Sequence, residues 1–270
     1  MDNSPILEIL NNDDWGEYRP VLDELKSRRY FDLLMDAYEK LDIGALYDSA
    51  IHGVGHIERT ILHGGFICMR EGLDAGQTAL VLDACSYHDV GRENDNVDYD
   101  HGYRSSLQLE ALTGRGGDEL NIIKAAVTAH SRNDGDMEAI LASYDIENRP
   151  LSMTVSELLK DADGLDRVRI NDLNPRFLRR ESSRGQAGFA VWLFKRYQQL
   201  MGLSPTPMYP RSVMSMLRQA GEELSGEELW NMDAFRAAVS RSYCALSAEG
   251  TPPKLRGSLM KYFKLEPVNT

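Results

Sequence analysis

The sequence predicts an all-α protein. Apolar residues recur at intervals of three and four through most of the chain, and few segments alternate with period two. Glycines, prolines and capping Asp or Ser residues interrupt the periodic stretches at helix-length spacings. At 270 residues the chain fits one large domain or a domain with an appendage. Its 42% hydrophobic and 27% charged content suits a protein that buries a sizeable core.

Residues 1–15 read as a short helix and a polar connection. Pro20 opens a helix to about Leu41, with Val21, Leu25, Phe31, Leu34, Tyr38 and Leu41 as its apolar members. A second helix carries His52, His56, Arg59 and His63 on one face, with Gly53 and Gly55 loosening its first turn. Asp74 caps a helix of small and apolar residues that ends by presenting His88 and Asp89, and Gly91 releases the chain. The polar, acidic stretch 93–100 reads as a solvated loop. His101 follows and leads into a helix through Leu112; Asp118 caps the next, which ends in a Leu120, Ile123, Val127, His130 stripe. Val155 to Arg169 is a helix carrying Asp161, Asp163 and Asp166. Further helices are expected at about Ala187–Met201, Pro210–Gly221 and Gly226–Ala248, the last opened by a Ser225–Glu228 capping box. Pro205, Pro207 and Pro210 mark the firmest boundary.

A formal net charge of −12 disfavours broad binding to nucleic acid or anionic membrane. No run is long and apolar enough to span a bilayer, and Met1-Asp2-Asn3-Ser4-Pro5 does not open a secretory signal. Cys68, Cys85 and Cys244 are odd in number and lack a Cys-x-x-Cys spacing, so reduced thiols and a cytoplasmic location are expected. Disulfide-scaffold and zinc-finger readings are excluded.

All six histidines lie between His52 and His130, a clustering that a single shared site explains. In order the chain offers His56, His88-Asp89, His101, His130 and Asp163, each at a helix face or end. Imidazole and carboxylate donors suit Mn, Fe, Co, Ni or Zn, and the lack of thiolates argues against a structural zinc. His52 and His63 read as supporting or structural residues.

His56-x-x-Arg59, His88-Asp89 and the run from Lys160 to Arg167 resemble the HD-domain metal-dependent phosphohydrolases. The resemblance covers about residues 45–170. It implies a helical HD bundle with additional helices, organised as an N-terminal extension at 1–44, a metal-binding core at 45–170 and C-terminal helices at 171–270. It also implies that His56, His88, Asp89 and Asp163 bind a divalent ion, Mg being a further candidate. Asp161 is the fallback for Asp163, and Asp166 orients the helix. His101 and His130 resemble the extra pair of dinuclear relatives, so one ion is expected and two if that pair also binds. Gly102-Tyr103-Arg104 lacks the Gly-Tyr-Pro signature of the cyclic-dinucleotide phosphodiesterase branch, so that substrate is not expected.

The activity implied is hydrolysis of a phosphate ester or anhydride of a small molecule, with a nucleotide the expected class. Asp163 would orient the water, and His101 or His130 would protonate the leaving oxygen if not metal-bound. Arg59 is expected to contact phosphate or to orient the metal carboxylates; Arg92, Arg167 and Arg184 are the other substrate-binding candidates. A di-iron oxygenase on the same fold and a non-catalytic nucleotide sensor are the rival readings.

Overall fold

The computed structural model describes residues 4–12 and 14–248, and parts of the 1–44 and 171–270 segments lie outside those bounds. Among the described residues every regular element is helical, and no helix is long and apolar enough to cross a membrane. The chain divides into two units, Met1–Val168 with Leu173–Leu203, and Arg169–Asp172 with the chain from Ser204 onward.

In the first unit α1 spans Pro5–Asn12, α2 Arg19–Lys26 and α3 Arg29–Lys40. The one helix expected from Pro20 to Leu41 is therefore two. Arg28 is extended (φ −125°, ψ 161°), and the Ser27 hydroxyl donates to the Glu24 carbonyl at 2.8 Å. The break lets Leu22 and Leu25 of α2 and Tyr30, Leu34 and Tyr38 of α3 all reach the core. Next come α4 (Val54–Glu71), α5 (Ala75–Tyr87), α6 (His101–Ser106), α7 (Leu109–Thr113) and α8 (Gly117–His130). His52 is thus not on α4 but in the turn before it. Asp74 opens α5 with a complete capping box to Gln77. Asp118, expected to cap α8, does not: Gly116 holds that position. The Asp118 carboxylate instead accepts the backbone N–H groups of Glu147 and Asn148, which pins the entry to α10.

The unit continues with α9 (Met137–Ala142), α10 (Arg149–Asp166), α11 (Glu181–Arg184) and α12 (Ala187–Leu200). The start of α10 precedes Val155 because Asn148 caps it and Pro150 fits its first turn. At the centre α10 packs against α8, α4 and α5, with α3 outside α4 and α5, and α6 against α8. Two glycines set how closely these elements meet. A Cβ on Gly91 would lie 2.3 Å from the Ser105 nitrogen, and one on Gly102 would lie 2.4 Å from the Val127 carbonyl oxygen. Any side chain there would push α6 away from the His88-Asp89 turn and from α8. Trp15, Phe66, Phe189 and Trp192 form an aromatic layer between the N-terminal segment, α4 and α12.

The second unit contains α13 (Arg211–Gln219), α14 (Gly226–Trp230) and α15 (Met232–Ala248). The Ser225–Glu228 capping box is present. The helix expected over 226–248 divides at Asn231, whose Oδ1 accepts the N–H groups of Asp233 and Ala234 and so starts α15 anew. Tyr209 stacks on Phe235 with ring centroids 3.6 Å apart, and Asn171, at φ 50°, donates to the Tyr209 hydroxyl and to the carbonyls of Leu229 and Trp230.

His63 lies fully buried on α4, edge-on to Phe189, and neither ring nitrogen has a hydrogen-bond partner among the described residues. Burial pushes its pKa down to about 4. The unfolded chain, with an ordinary imidazole, binds this proton more readily, so His63 lowers stability as pH falls from about 6.5 to about 4. Over that window it should cost about 3 kcal/mol. His63→Leu is expected to flatten this part of the stability profile, as read by urea denaturation at pH 7, 5.5 and 4.5. An unchanged slope would show that His63 is not the group responsible.

Candidate metal centre

Three histidines are held by the same local device. His88 caps the C-terminus of α5, His130 is the last residue of α8, and His101 is the first of α6. In each, Nδ1 donates to the carbonyl three residues earlier: His88 to Cys85 at 2.9 Å, His101 to Asp98 at 2.5 Å and His130 to Val127 at 2.5 Å. His56, in the first turn of α4, donates Nδ1–H to the Asp166 carboxylate at 2.8 Å. A carbonyl or an ionised carboxylate only accepts, so in each neutral ring the proton sits on Nδ1 and the lone pair on Nε2.

Those lone pairs converge. The Nε2 atoms of His56 and His88 are 3.0 Å apart, and those of His101 and His130 are 2.9 Å apart. Between the pairs lies Asp89. Its Oδ2 is 3.6 Å from His56 Nε2 and 3.7 Å from His88 Nε2; its Oδ1 is 3.0 Å from His101 Nε2 and 3.5 Å from His130 Nε2. Asp163 completes the first half, its Oδ1 3.4 Å from His56 Nε2. His52 Nδ1 donates to Asp89 Oδ2 at 3.0 Å, and Arg92 Nε pairs with the same oxygen at 2.9 Å.

Burial by itself would raise the Asp89 carboxyl, but the imidazoles around it, His88 foremost, hold it well below the usual carboxylate range. Burial pushes the His130 imidazole down to about 4. At neutral pH the His130 ring therefore meets an ionised Asp89 with a lone pair. Lone pairs and a carboxylate facing one another out of reach of solvent are costly without positive charge among them. Overlapping groups of these side chains (His52, His56 and Asp89; His56, His88 and Asp163; His88, Asp89 and His130) could hold a metal ion. Asp163, its side chain 24% exposed against 0% for His56, is where solvent reaches the first half.

Behind His56, Asp166 also accepts from Arg59, through Nε at 2.6 Å and Nη2 at 2.9 Å. Arg59 is only 2% exposed and lies over the rings of Phe194 and Tyr197. Of the two roles expected for Arg59, contact with a substrate phosphate is therefore corrected: the guanidinium faces no solvent and orients a carboxylate that orients a histidine. Asp161 does not share the site with Asp163. Fully buried, it accepts the N–H groups of Arg179 and Arg180 and pairs with the Arg179 side chain. Arg184 bonds to Leu178, Arg179 and Glu181, none of them site residues, and Arg167 is exposed at the end of α10. Loop 93–100 is tied down through Ser49 to Asp95 and Arg104 to Asp98.

Two supporting residues escaped sequence reasoning. Arg104 donates Nε–H to the Gly91 carbonyl at 2.9 Å and so braces the His88-Asp89 turn. Lys160 lies under the His130 turn. A charged residue predicted on a buried helix face was the available signal for Lys160; nothing local marked Arg104.

Comparison with protein-family models, curated proteins and solved structures found no match for this chain.

Removing the charge of Asp166 tests the support of His56. In Asp166→Asn the buried Arg59 loses its counter-ion, for a stability loss of about 3–5 kcal/mol. Metal affinity should fall ~10–100-fold as the His56 ring loses its acceptor. Thermal denaturation and metal titration of the folded variant measure the two effects separately. A loss of stability with unchanged metal affinity would restrict Asp166 to a structural role.

Proposed function

We propose that this protein is an HD-type, dinuclear metal-dependent phosphohydrolase acting on a phosphate ester or anhydride of a small molecule, with a nucleotide as the expected class. The observation that carries the reading is the convergence of four imidazole Nε2 atoms on the two oxygens of one buried aspartate. His56, His88 and Asp163 would hold one ion, His101 and His130 the other, and Asp89 would serve both. Imidazole and carboxylate donors of this kind suit Mn, Fe, Co, Ni or Zn.

Bound there, divalent ions supply Lewis acidity toward phosphoryl oxygens and a hydroxide at neutral pH. The chain's own residues do the rest. Asp163, the open carboxylate, accepts a proton from water and orients it toward the substrate. Arg92 already contacts the site through Asp89, and its guanidinium is the phosphate contact. His101 and His130 serve as ligands in this reading, because their Nδ1 protons are committed to backbone carbonyls. Protonation of the leaving oxygen then falls to water.

Purified protein should hold two Mn or Co ions per chain, and His130→Ala one. Under anaerobic conditions the wild type should release phosphate from at least one member of a nucleotide panel. His88→Ala and Asp89→Ala should lose more activity than the ~10–100-fold that follows when a ligand's hydrogen-bond partner is removed. Iron-dependent oxygen uptake without phosphate release would establish an oxygenase instead, and nucleotide binding without turnover a sensor.

A further inference from the structure

We infer that Lys160 is a positioning residue for the second metal half-site, acting through the turn that presents His130; this rests on the dinuclear reading above. Lys160 is 6% exposed on α10, one turn before Asp163. Its ammonium has three protons, and three acceptors surround it: the Ala129 carbonyl at 3.1 Å, the Arg132 carbonyl at 2.7 Å and Asp134 Oδ1 at 2.9 Å. Ala129 and Arg132 flank His130, so the two carbonyl contacts fix the backbone on both sides of the ring that must meet Asp89. Asp134 is held in turn by Arg179 at 2.5 Å, and Arg179 by Asp161 at 3.1 Å. One helix therefore supplies Asp163 to the first half-site and clamps the histidine of the second. Two fixed points beside His130 do more than cap the end of α8, because they set the distance between α8 and α10 at the level of the site.

Lys160→Met keeps the length and apolar stem of the side chain and removes all three donors. Mn titration of wild type, Lys160→Met, His130→Ala and the double variant reads the effect, with circular dichroism confirming the fold. Expected are two ions in the wild type, second-ion affinity ~10–100-fold weaker in Lys160→Met with the first unchanged, and no added effect of Lys160→Met in the His130→Ala background. Equal weakening of both ions would show a general structural role and overturn the inference. So would wild-type affinity for both ions in Lys160→Met. A wild type that holds one ion would overturn the dinuclear reading itself, a different failure from a two-ion wild type indifferent to Lys160. If the methionine variant precipitates, Lys160→Gln, which removes the charge, is read against the same outcomes.

Discussion

The burial of Asp89 is the constraint on which the rest of the first unit depends. An ionised carboxylate is expensive inside a protein unless positive or donor groups surround it. Here His52 and Arg92 supply such groups to one oxygen, and each oxygen also faces two imidazole nitrogens, among which a metal ion could be held. Bringing those groups to one point requires the start of α4, the end of α5, the start of α6 and the end of α8 to meet. Gly91 and Gly102 are tolerated for that reason, since a Cβ at either would drive the elements apart.

Orientation of the rings is achieved economically. A histidine at a helix end can donate Nδ1–H to the carbonyl three residues back, which satisfies a backbone group and fixes the ring tautomer in one contact. His88, His101 and His130 all do this. His56, inside the first turn of α4, has no such carbonyl in use and takes the carboxylate of Asp166 instead. That carboxylate is itself held by Arg59, whose charge is buried between aromatic rings. The cost of hiding Arg59 and Asp166 is offset within the pair, and the result is a His56 ring with little freedom to turn.

The candidate site was more legible in the sequence than the helix boundaries. Histidine and aspartate carry distinctive chemistry, and their placement at the ends of apolar stripes told which way they would point. The all-helical class followed from periodicity for the same reason. Long-range partners were not legible. Whether Asp161 or Asp163 faces the histidines depends on backbone N–H groups of Arg179 and Arg180 that claim Asp161 from another segment. The burial of Arg59 depends on Phe194 and Tyr197 of α12, far along the chain. Helix breaks at Ser27 and Asn231 went unread because a serine or asparagine within a periodic run is compatible with either continuation or a new cap. The core decides between them by which apolar residues it can admit.

Anomalous diffraction from crystals grown with Mn, recorded above and below an absorption edge, tests the central claim most directly. The account predicts two peaks flanking the Asp89 carboxylate, one within bonding reach of His56, His88 and Asp163 and the other of His101 and His130. Absence of any peak at these nitrogens in crystals saturated with the ion, with the Nε2 pairs still face to face, would contradict it.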